Sequence, residues 1–130
     1  MYAYILVALG SALGGVARFW LSALVAQRLG ENFPWGTIFI NVIGSFLIGF
    51  VDTFTTVGSR FPLSLEGRQL LMIGVLGGYT TFSSFSLQTL HLARNGAWLS
   101  AAGNILLSVV LCLVAVWLGH ICAQVLNRPS

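Results

Sequence analysis

The sequence predicts an all-α integral membrane protein, a single domain over residues 1–130 built of four transmembrane helices with the third one broken. Three observations lead there. Of 130 residues, 57% are hydrophobic and 7% charged, where a soluble domain carries about 25% charged residues. The apolar residues gather into four runs, about 4–25, 37–57, 68–92 and 97–126, and each meets the roughly 20-residue length that a helix needs to cross a bilayer. The third run is interrupted by Gly74-Val-Leu-Gly77-Gly78-Tyr79-Thr80-Thr81-Phe82-Ser83-Ser84-Phe85-Ser86, which holds more polar and helix-breaking groups than a plain membrane helix needs.

That interruption organises the chain. Glycine costs roughly 1 kcal/mol against alanine inside a helix, and Gly77-Gly78 followed by the β-branched pair Thr80-Thr81 stacks such penalties. A break is expected there. In lipid every backbone group freed by a break must find protein, water or an ion, so breaks line cavities or bind something. The functional site is expected to include this stretch.

The first span carries Gly10, Gly14 and Gly15, a small-xxx-small pattern that lets another helix backbone approach. Arg18 falls at mid-helix, where a guanidinium costs about 2.5–3.5 kcal/mol unless it snorkels or meets water. It has two readings, a snorkelling side chain and the cation of a vestibule. The second span follows a short loop and the re-entry residues Pro34 and Trp35, and it carries Thr37, Asn41 and Ser45 at intervals of four, on one drifting face. Asn41 is either glue between helices or a group facing a pore. Asp52, near the end of that span, reads as a cap or an ion pair. The fourth span repeats the pattern with Ser100, Asn104, Ser108 and Cys112. His91 and His120 close the third and fourth spans at the interface, and neither has neighbours at metal-ligand spacing. Cys112 and Cys122 read as small packing residues, and residues 127–130 as a tail.

Charge completes the reading. All six basic residues are arginines and the acids are Glu31, Asp52 and Glu66. The net charge of +3 is spread over loops and suits lipid headgroups, and no basic, aromatic-interleaved face for nucleic acid is present. No cleavable signal is expected, because the apolar run from Tyr2 lacks a basic leader. With four spans, Arg60, Arg68 and Arg128 share one side and Arg28 and Arg94 the other, joined by Arg18 if it snorkels that way. Orientation follows the arginine bias. So small a bias predicts insertion in both orientations and an antiparallel homodimer, whose second copy gives the polar stripes something better than lipid to face.

The motif residues resemble those of a known family. Gly77-Gly78-Tyr79-Thr80-Thr81-Phe82-Ser83-Ser84-Phe85-Ser86 is similar to the G-G-x-T-T-F-S-x-F-S signature of the Fluc (CrcB) fluoride channels. Pro34-Trp35-Gly36-Thr37 with Asn41-Val42-Ile43-Gly44 resembles their P-x-G-T-x-x-x-N-x-x-G, and Gly14 to Arg18 resembles their G-x-x-x-R. The resemblance implies a dual-topology homodimer in the bacterial inner membrane. It has two pores and passively exports fluoride to lower the cytoplasmic level. It further implies a structural sodium ion at the dimer interface on the backbone carbonyls of Gly77 and Thr80, and a fluoride pathway at Phe82 and Phe85. Ring edges, the positive part of an aromatic quadrupole, meet the anion there. Asn41, Ser83, Ser84, Asn104 and Ser108 match the family's polar positions, and Arg18 and Thr37 its vestibule. Two residues depart from the pattern: Gln88, where glutamate is frequent, and Cys112, where serine is common.

Other classes fit less well. A proton-coupled exporter of cationic compounds has similar length but needs an embedded carboxylate, for which Asp52 is the sole candidate. No Ser/His/Asp set or metal cluster shares a face, which argues against an enzyme, and a non-conducting assembly protein has no use for polar stripes.

Overall fold

The computed structural model describes residues 1–128 as helices joined by short loops. Helix α1 is Tyr2–Leu29 and α2 is Trp35–Phe54. The third span, Leu65–Arg94, is divided into α3, residues 65–79, and α4, Phe82–Arg94. Helix α5 is Trp98–Asn127. The four spans are each long and apolar enough to cross a membrane, and most of their large apolar side chains point outward, as Leu9, Leu13, Phe19, Leu106, Leu113 and Trp117 do. For a soluble protein that would be an aggregation surface; in a bilayer it is the surface that lipid wets.

Glycine decides how the helices meet. Gly10 and Gly14 of α1 face Gly74 and Gly78 of α3, two small-xxx-small patterns pressed together. A Cβ added at Gly10 would stand 2.9 Å from the Gly74 Cα, and one added at Gly78 would stand 2.5 Å from the Ser11 carbonyl oxygen and 2.7 Å from its Cα. The same device crosses α2 with α5, where Gly49 abuts the Val116 carbonyl and Gly119 the Phe46 carbonyl. Gly15, by contrast, has open space around it. The close-packing reading of the first-span glycines therefore holds for Gly10 and Gly14. Gly78→Val is expected to force α1 from α3, since backbone cannot yield as a side chain can. The measurement is the share of protein eluting as a single peak from detergent, expected to fall to a small fraction of wild type.

The break lies later than the glycines. Gly77 and Gly78 are helical, and α3 ends at Tyr79; the residues that leave the helix are Thr80, with ψ 157°, and Thr81, with φ −152° and ψ 106°. Gly78 is there for contact with α1, Gly77 has no such contact, and the threonine pair makes the break. A second feature was not expected from sequence: Gln69–Leu76 winds as a π-helix, a widened turn of a kind often found near functional sites.

The loops are tied down locally. Arg68 binds Asp52 at 2.5 Å and also donates to the Asp52 carbonyl at 3.0 Å and the Thr55 hydroxyl at 2.9 Å, so Asp52 is an ion-pair residue, as its position suggested. Thr53 Oγ1 and His120 Nδ1 are 2.7 Å apart. Asn127, read as the first residue of a tail, is the last residue of α5 and donates to the Thr53 carbonyl at 3.1 Å; Pro129 and Ser130 lie outside the described residues.

Candidate functional site at the helix break

Unwinding two residues at the centre of a membrane span frees backbone groups, and the chain meets most of them with side chains. The Thr80 amide still closes the last turn on the Leu76 carbonyl at 3.0 Å. The Thr81 amide donates to Asn41 Oδ1 at 2.8 Å, and Asn41 Nδ2 returns a bond to the Thr81 carbonyl at 3.0 Å. Asn41 thus pairs with Thr81 as a neighbouring strand would, replacing what the helix lost. Thr81 then caps α4: its Oγ1 accepts from the Ser84 amide at 3.2 Å and donates to the Ser84 hydroxyl at 2.9 Å. Such a cap contributes about 1 kcal/mol in an ordinary helix. Among the described residues no amide donates to the Gly77 carbonyl, whose helical partner would have been the Thr81 amide now on Asn41. The Thr80 carbonyl receives Arg18 Nη1 at 3.4 Å.

Three clefts meet around this junction. An apolar one of about 390 Å³ lies between α2, the break and α5, with Asn41, Ser45, Thr81, Phe82, Phe85 and Ser108 among its walls. A polar one of about 210 Å³ lies across Thr81, lined by Arg18, Ser22, Thr37, Ser84 and Gln88. A third, of about 200 Å³, shares Ser22, Thr37 and Gln88 with the second and opens beside Glu31 and Phe33 in the α1–α2 loop. Thr81 is in the wall of the first two clefts, and Ser22, Thr37 and Gln88 are in the walls of the second and third, so the three lie side by side between the α1–α2 loop and the middle of the third span. Among the described residues Glu31 is the one carboxylate and Arg18 the one cation lining these clefts.

The expected site residues fall into three groups. Asn41, Phe82, Phe85 and Ser108 line the apolar cleft, and Arg18, Thr37 and Ser84 line the polar one. The Phe82 and Phe85 rings are 5.1 Å apart and inclined at 51°, with Phe82 76% exposed and Phe85 8% exposed. Asn104 and Ser83 lie outside the cleft walls. Asn104 is fully buried, donating to the Thr89 hydroxyl at 2.8 Å and accepting from Ser108 at 3.4 Å, while Thr89 donates to the Phe85 carbonyl at 2.8 Å. The chain of bonds from α5 thereby sets the position of Phe85. Ser83 is exposed, its Oγ 3.4 Å from Thr81 Oγ1.

Sequence reading missed the centre of the network. Thr81 was treated as a helix breaker, whereas it pairs with Asn41, caps α4 and walls two clefts; the signal was present in its position immediately before an amphipathic helix, where Thr and Ser cap. Cys112 lines the apolar cleft. The loop residue Glu31 is among the residues lining the outer cleft.

A chain of four membrane-crossing helices, with a broken span whose polar groups gather at one junction, is a multi-pass membrane protein. The family model described as "CrcB-like protein, Camphor Resistance (CrcB)" matches residues 5–120, and the chain belongs to that family. Among curated relatives it is 61% identical over 127 residues to a protein of Opitutus terrae, covering 98% of this chain and 96% of the relative. It is 56% identical over 125 residues to one of Methylocella silvestris, covering 96% and 95%. With one of Paramagnetospirillum magneticum identity is 54% over 128 residues, covering 98% and 100%. Each of the three is named "Fluoride-specific ion channel FluC".

Proposed function

We propose that this chain is a fluoride-specific channel of the bacterial inner membrane that lets fluoride leave the cytoplasm passively. The observation that carries the reading is the row of neighbouring clefts that share Thr81 in their walls. It is lined by donors, one arginine and two phenyl rings, and is free of carboxylates once past its mouth. Donors of this kind suit an anion. Asn41 keeps a second amide hydrogen after serving Thr81, since a primary amide carries two. The first amides of α4 have no helical acceptors, and the N-terminal end of a helix favours negative charge. Arg18 raises the anion concentration on the approach. The names of the relatives point the same way.

The working unit in this reading is an antiparallel homodimer with two pores. One copy leaves Phe82 and Ser83 facing outward in mid-span, and leaves a freed Gly77 carbonyl in a medium without water. The Gly77 and Thr80 carbonyls are hard oxygen donors of the type that alkali and alkaline-earth cations prefer. One chain supplies too few for a cation, so a structural sodium ion would draw them from both copies. Arg18 on the Thr80 carbonyl is at the long limit of a hydrogen bond, and a carbonyl oxygen has a second lone pair to offer. Bound there, sodium would supply fixed positive charge at the crossing of the two broken helices.

Purified protein in liposomes, loaded with fluoride or chloride and followed with ion-selective electrodes, tests the reading. Fluoride efflux well above protein-free liposomes, with little chloride efflux, is the expected result; absence of fluoride efflux refutes it. Asp52→Asn is expected to leave the flux within about twofold of wild type, because Asp52 is exposed and held by Arg68, and such surface pairs contribute about 0–1 kcal/mol. An exporter that carried its protons on Asp52 would lose transport in the same assay.

A further inference from the structure

The mouth of the cleft series carries a charge of the wrong sign for its traffic. Gly30, with φ 80°, turns the chain out of α1, and the loop that follows sets Glu31 in the lining of the outer cleft beside Ser22, Thr37 and Gln88. Among the described residues the one salt bridge is Arg68 with Asp52, so the Glu31 carboxylate has no paired cation. The neck shared by the outer and inner clefts includes Gln88, whose Oε1 is buried and receives no hydrogen bond. An anion entering from this end therefore meets one full negative charge before it reaches Arg18.

Resting on the channel reading above, we propose that Glu31 is an electrostatic throttle at the entrance of the fluoride pathway. It lowers the local anion concentration and sets the flux when salt is dilute. Coulomb's law gives the scale: a unit charge about 10 Å away across water changes the local concentration of a monovalent ion roughly twofold, and more where low-dielectric walls confine the field. The effect must also be screened, because the Debye length falls from about 30 Å at 0.01 M salt to about 3 Å at 1 M. Exposed in a loop, Glu31 can be exchanged without disturbing the helix packing.

The experiment compares fluoride efflux from proteoliposomes for wild type, Glu31→Gln, Glu31→Lys and Glu31→Asp at about 0.01 M and about 1 M ionic strength. Glu31→Gln is expected to conduct about two- to threefold faster than wild type at low salt, Glu31→Lys faster still, and Glu31→Asp like wild type, with the differences gone at high salt. Equal flux for Glu31→Gln and a conducting wild type at low salt would overturn the throttle and leave the channel reading intact. So would an increase that persists at high salt, which would point to a change of shape. A wild type that passes no fluoride would overturn both.

Discussion

Phe85→Ile is expected to reduce fluoride efflux from proteoliposomes at least a hundredfold while the protein keeps the elution profile of wild type. Phe85 is the one buried phenyl in the cleft wall, and its backbone is held through Thr89 and Asn104 to α5. Isoleucine keeps an apolar body of similar reach, so the packing loss is about 1–1.5 kcal/mol, tolerable for a folded helix bundle. What isoleucine lacks is the positive rim of the ring, and no neighbouring group replaces it. Phe82→Ile is expected to act in the same way with even less effect on folding, since that ring is 76% exposed. Normal efflux in both variants would remove the phenyl rings from the pathway.

The second large effect is at Asn41. In Asn41→Asp the acceptor for the Thr81 amide survives, but the donor to the Thr81 carbonyl becomes an anionic oxygen facing another oxygen. Leaving a buried carbonyl without its donor costs about 1–3 kcal/mol, and a fixed negative charge in the cleft wall opposes an entering anion. Fluoride efflux is expected to fall tenfold or more. Unchanged efflux would make Asn41 a strut for the break and nothing else. The two roles weighed for Asn41 are compatible in this geometry: one amide hydrogen braces Thr81 and the other remains for the cleft.

Much of the site could be read in the chain before any coordinates. The residues of the break and Asn41 stand out because polar groups in a membrane span are costly, and cost makes them conspicuous; the two phenylalanines are singled out by the family resemblance alone. Partners were less legible. Asn104 and Ser83 look alike on a helical wheel of polar residues, yet one is buried in a network with Thr89 and Ser108 and the other is exposed. Period-four spacing identifies a face and leaves open what the face meets. Glu31 was placed correctly in a loop, but nothing in a loop sequence says which cleft it will line.

The sequence by itself determined that this is a four-span membrane protein with a polar break in its third helix, because the bilayer demands length and apolarity from each span and penalises every exception. Only the tertiary structure decided where the break falls and what it is worth. Gly78 is a poor helix former that stays helical where α1 presses against it, and Thr81 leaves the helix because Asn41, on another helix, supplies the bonds it gives up. Propensity is local, whereas the energy that overrides it comes from residues 40 or more positions away along the chain.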